Sequence, residues 1–202
     1  KTVYAQVTYN DIAGMARGMS RQSGLAGNLM NLLSASEALM HVVRSFEDDT
    51  IPTEKGSVNA ARDVADMDME LILSDLVIIE RRLDRLRREG SKSNADEIAL
   101  FERLQGALEE EIPMRDIDLA PEQRRALRGF GFLSAKPMLI VLNVGDDGVD
   151  EAAEQFSYSH QESRVIGLHG RLESEIAQLD DESRQLFLEE YDISEPGLNR
   201  VI

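Results

Sequence analysis

An α/β layer interrupted by a helical hairpin is the fold class this chain predicts, and three observations predict it. Met138-Leu139-Ile140-Val141-Leu142 is an unbroken apolar run, the pattern of a strand covered on both faces. Strand patterns at 38–43 and 164–168 are separated from it by segments of helical period, which indicates strands joined through helices. Between the first two strands, Ala65, Met69, Ile72, Leu76, Ile79, Leu83 and Leu86 recur at spacings of four and three, the seam of a coiled-coil helix.

The elements follow in order. Residues 3–9 alternate apolar and polar and predict a strand; 28–34 predict a short helix, and 46–58 a polar loop with Asp48, Asp49, Pro52 and Gly56. The long helical seam breaks at Gly90-Ser91-Lys92-Ser93-Asn94. A second stripe, Ile98, Phe101, Leu104, Leu108 and Ile112, ends before Pro113. Two long helices joined by a short Gly/Ser turn form an antiparallel hairpin. A third helix, with Pro121 in its first turn, runs to about Arg128. Beyond the 138–142 strand come a helix at 151–159, a strand at 164–168, and helices at 172–179 and 182–191. The expected organisation is a first α/β part at 1–58, the inserted hairpin at 59–132 and a second α/β part at 133–202.

Composition narrows the function classes. The 202 residues are 42% hydrophobic, enough for a packed core, and 30% charged with a net charge of −16. That net charge argues against general affinity for DNA or an anionic membrane. No cysteine is present, so disulfides and thiol chemistry are excluded. No apolar stretch approaches the roughly 18–20 residues that span a bilayer, and the default location is cytoplasmic. His41, His160 and His169 are scattered and have no metal-ligand spacing.

Two short signals carry chemistry. Asp11-Ile12-Ala13-Gly14 follows the first strand pattern, and Asn143-Val144-Gly145-Asp146 follows the apolar run. Aspartate-x-x-glycine after one strand and asparagine-x-x-aspartate after a later one is how P-loop nucleotide-hydrolysing switches are written. The phosphate-cradling G-x-x-x-x-G-K-[ST] does not occur in these 202 residues. Each signal also has a plainer reading: a strand-to-loop turn for the first, and an asparagine capping the next helix for the second.

Longer stretches resemble the YchF/Obg-like ATPase family of translation-factor-related P-loop proteins. These are DIAGMARGMSRQSGLAG at 11–27, HVVRSFEDD at 41–49, MELILSDL at 69–76, Lys136-Pro137, and EPGLNRVI at 195–202. The match runs from end to end and includes the hairpin. The resemblance implies a partial Ras-like P-loop NTPase core with an inserted coiled-coil hairpin. It also implies that the chain lacks the N-terminal P-loop part and the C-terminal TGS domain, so that these residues alone are inactive. The family implies a Mg2+-dependent NTPase that binds ATP or GTP and associates with ribosomes.

By that resemblance, Asp11 holds Mg2+ through water and the Gly14 N–H reaches a γ-phosphate. Met15 stands where many GTP switches carry a water-orienting glutamine, and Thr53 where family members often carry a histidine. No catalytic residue is therefore assigned. Asn143 and Asp146 read the base, with Val144 between them where GTP switches favour lysine. A carboxylate can accept both donors on the guanine edge, whereas adenine presents a lone pair at N1. The family usually has glutamate at the position of Asp146. Leu168-His169-Gly170 occupies the place of the loop whose backbone N–H groups brace the base.

Arg81, Arg82, Arg85, Arg87, Arg88 and Lys92 gather at the hairpin tip. One reading is a contact for ribosomal RNA or an acidic partner. The other is a solvated helix end, interleaved with Glu80, Asp84 and Glu89. Two functions follow: a slow NTPase, or a degenerate, non-catalytic NTPase-like scaffold whose hairpin docks the ribosome or a protein.

Overall fold

The apolar run lies at the centre of a three-stranded parallel sheet in a computed structural model that describes residues 7–12, 25–53, 56–90, 94–145, 149–190 and 197. Strand β2 (Met138–Val144) is flanked by β1 (Leu39–Ser45) and β3 (Ser163–Leu168), in the order β1-β2-β3. Its continuous hydrophobicity has the expected cause, because Met138, Ile140, Val141, Leu142 and Val144 are all buried. The strands start level: the Leu39 N–H donates to the Pro137 carbonyl at 2.9 Å and the Met138 N–H to the Glu162 carbonyl at 3.0 Å.

The remaining elements are helices: α1 (Leu25–Ala35), α2 (Ala60–Glu89), α3 (Ala95–Glu109), α4 (Pro121–Leu127), α5 (Val149–Gln155), α6 (Gly170–Ala177) and α7 (Asp181–Glu190). Contacts divide the chain into two compact units. One comprises residues 1–37 and 66–136, the other 38–65 and 137–202.

The first unit is helical. Ile72, Ile79 and Leu83 of α2 share one core with Phe101, Leu104 and Leu108 of α3 and with Met114, Leu127 and Phe132 beyond them. Phe130 meets Phe101 edge-on at 5.2 Å and stacks on Phe132 at 5.4 Å. Arg82 and Arg87 of α2 pair with Glu97 and Glu102 of α3 at 2.6 and 2.8 Å. Arg115 is fully buried and pairs with Asp68 at 2.7 Å. Lys136 Nζ donates to the Ser34 carbonyl at 3.0 Å and to the Ser36 carbonyl, tying the end of α1 to the 131–136 segment.

Three expectations are corrected. Residues 7–9 form no strand: Val7 and Tyr9 are 61% and 56% exposed, outside the sheet that would pair them; residues 3–6 lie outside the described residues. Ala65 is exposed, and α2 buries Val64, Leu71, Ser74 and Asp75 instead, a face wider than a heptad seam. Ile112 does not continue α3. The helix stops at Glu109, and Ile112 is 38% exposed after a left-handed turn at Glu111 (φ 61°).

Candidate functional site

The C-terminal ends of the parallel strands are the usual ligand edge of an open α/β sheet. In the second unit the register lines up Arg44 of β1, Asn143 of β2 and Leu168 of β3 as neighbours in one row. Asn143 and the Leu168-His169-Gly170 loop are therefore adjacent because of strand pairing, although 27 residues separate Asn143 from Gly170.

A hydrogen bond joins them. The Gly170 N–H donates to Asn143 Oδ1 at 2.9 Å. Gly170 is the first residue of α6, where backbone N–H groups have no partner within the helix, so Asn143 satisfies one of them from outside. The fit is close. A Cβ built on Gly170 would lie 2.8 Å from Asn143 Oδ1 and 3.1 Å from both Cγ and Nδ2, so a larger residue there would push the Asn143 amide aside. The plain reading expected Asn143 to cap the next helix in the chain, α5; the bond it makes is instead to the start of α6, because β2 and β3 are paired. The residue caps α6 and faces the loop at the sheet edge.

Other expected residues divide. Val144 is buried, whereas Leu168 and His169 are half-buried at the edge. Gly14, Met15 and Asp146 lie outside the described residues, as does Lys92. Asp11 is exposed. Among the described residues no three His, Asp or Glu side chains group into a metal cage. Mg2+ does not need one, because it retains several waters and takes one or two carboxylates plus substrate phosphates. An exposed Asp11 fits a contact through water.

At the hairpin tip the arginines have separate tasks. Arg82 and Arg87 cross to α3, as above, while Arg85 pairs with Glu89 one turn on at 2.9 Å. Arg88 Nε donates to the Asp84 carbonyl at 3.2 Å, and Arg81 is exposed.

Sequence reasoning missed Arg44. Its guanidinium donates to three carbonyls of the loop after β1: Phe46 at 2.9 Å, Ile51 at 3.1 Å and Asp48 at 3.1 Å. It also lies over the Phe46 ring at 4.9 Å. Inside that loop, Asp48 Oδ1 accepts from the Thr50 N–H at 2.8 Å and the Thr50 hydroxyl at 2.6 Å, bonds that hold its carboxyl below the ordinary range. An arginine ending a strand leaves no pattern that would mark this role.

No family model matches the chain. Curated relatives do match over its whole length. The ribosome-binding ATPase YchF of Bacillus subtilis is 34% identical across 100% of the chain and 58% of the relative. The protein of the same name from Escherichia coli O157:H7 is 36% identical with the same coverages. This chain thus spans a little over half the length of those relatives. Among solved structures, the YchF GTPase of Schizosaccharomyces pombe superposes with a TM-score of 0.70, covering 88% of this chain and 51% of that one at 21% identity, which shows a shared fold. The curated relatives match this chain from end to end, the Asp11–Gly14 and Asn143–Asp146 segments included, and by that correspondence it belongs to the YchF/Obg-like family.

Proposed function

We propose that this chain is the base-reading part of a Mg2+-dependent P-loop NTPase that acts on the ribosome, binding and hydrolysing ATP or GTP. The observation that carries the reading is the bond from the Gly170 N–H to Asn143 Oδ1. It links the two loops that a nucleotide switch uses for its base, at the sheet edge where such ligands sit. In this reading Asn143 and Asp146 contact the purine edge and the 168–170 backbone braces it. Asp11 holds Mg2+ through water and Gly14 meets the γ-phosphate; the metal, when bound, neutralises charge developing on the phosphates. The names of the curated relatives support a ribosomal partner, and the cytoplasm is the setting we propose with it. In this reading the hairpin of α2 and α3 meets ribosomal RNA through the arginines and lysine between 81 and 92.

The test is calorimetric titration of the full-length protein with Mg-ATP and Mg-GTP, before and after Gly170→Ala. At least one nucleotide binds the wild type. The added methyl displaces the Asn143 amide and weakens that binding tenfold or more. Binding of neither nucleotide overturns the reading in favour of a docking scaffold, and an unchanged affinity in the variant removes the observation on which it rests.

A further inference from the structure

The loop after β1 is folded around one side chain, and that side chain stands in the same row as Asn143. Arg44 gathers the carbonyls of Phe46, Asp48 and Ile51 onto one planar guanidinium. The resulting turn sets Phe46 against the base-reading loop: a Cβ built on Gly145 would lie 3.3 Å from Phe46 Cβ, tighter than ordinary contact. Gly145 follows Val144 two residues after Asn143, so Phe46 packs beside the backbone that leaves β2 at the proposed base-reading residue.

We propose that Arg44 is a positioning residue for base recognition, which through Phe46 and Gly145 holds residues 143–145, and with them Asn143, where a purine requires it. The inference rests on the proposed function of that turn. Lysine cannot substitute, because three donors on one nitrogen do not span three carbonyls as a planar fork does. The role concerns the base and not the phosphates, since the described side-chain contacts of Arg44 run to the 46–51 loop, whose Phe46 packs beside Gly145.

The test compares ATP, GTP and inorganic tripolyphosphate as competitors for binding to the full-length protein, in wild type, Arg44→Lys and Arg44→Met. Both variants lose about tenfold or more in affinity for the preferred nucleotide while tripolyphosphate competes as before. Gly145→Ala, which crowds Phe46 from the other side, gives a smaller loss of the same kind, and combined with Arg44→Met it adds less than the sum. Phe46→Leu carries the test should Arg44→Met not fold. Equal losses for nucleotides and tripolyphosphate, or unchanged nucleotide affinity in both arginine variants, overturn the proposal. A wild type that binds neither nucleotide overturns the functional reading beneath it, and that result appears before any substitution is made.

Discussion

Asp75 faces inward from α2 with no exposed surface and accepts three hydrogen bonds: from the N–H groups of Leu133 and Ser134, each at 2.8 Å, and from the Ser134 hydroxyl at 2.6 Å. Burial raises its pKa from 3.8 to about 6; the three bonds and the Lys136 charge pull it down and only partly offset that rise. The sign follows from linkage. Between pH 4 and 6 the folded chain holds a proton that the unfolded chain has released, so this group's contribution to stability falls as pH rises through that window, by roughly 3 kcal/mol in all. Asp75→Asn removes the titration, and the gap in urea midpoint between wild type and variant should therefore shift against the wild type from pH 4.5 to pH 7. Parallel pH curves would sink this assignment. Nothing in the sequence announced the role. A lone aspartate inside MELILSDL reads as a break in an apolar stripe, and its partners lie 58 and 59 residues away.

Helix ends show the same contrast one scale up. The period of α2 and α3 was legible because burial repeats along a helix, and the link at 90–94 was legible from its glycine and serines. Where α3 ends was not. The Glu111 N–H donates to the Leu108 carbonyl at 3.0 Å and the Ile112 N–H to the Ala107 carbonyl at 3.0 Å, a Schellman closure with Glu111 at φ 61° in the place where glycine is usual. At the end of α2 the corresponding left-handed residue is Gly90, also at φ 61°. A side chain in that conformation costs about 1–2 kcal/mol. Glu111→Gly is therefore expected to stabilise the fold by about 1 kcal/mol, read as a higher midpoint in urea at unchanged slope. A lower midpoint would mean that the glutamate side chain contributes more than its backbone strain removes. Strand pairing was partly legible for a related reason: apolar content marked β2, but the 3–9 alternation had the right period and lacks a ladder in the residues described.

For the whole molecule, the arginines of the hairpin tip stand out against a net charge of −16. Since Arg82 and Arg87 bridge α2 to α3, reversing the entire cluster would disturb the hairpin as well as its surface. Arg81, Arg85 and Arg88 make no cross-helix pair among the described contacts, so their joint reversal to glutamate isolates the surface. Co-sedimentation with ribosomes should fall about tenfold at low salt, with the difference narrowing as salt screens it. Unchanged sedimentation would remove the proposed role of this surface in ribosome binding. The end of β2 at Asn143 was legible from the apolar run before it, but the bond from Gly170 to Asn143 depends on β2 and β3 pairing, which only the folded sheet supplies. That bond has an informational consequence. With Oδ1 accepting from Gly170, the Asn143 amide is held in one orientation and turns its N–H groups toward a bound base; on the proposed reading they meet N7, an acceptor common to adenine and guanine. On the proposed reading Asn143 separates purines from pyrimidines and is blind to which purine has arrived; the choice between two cellular energy currencies then falls to a single carboxylate three residues on.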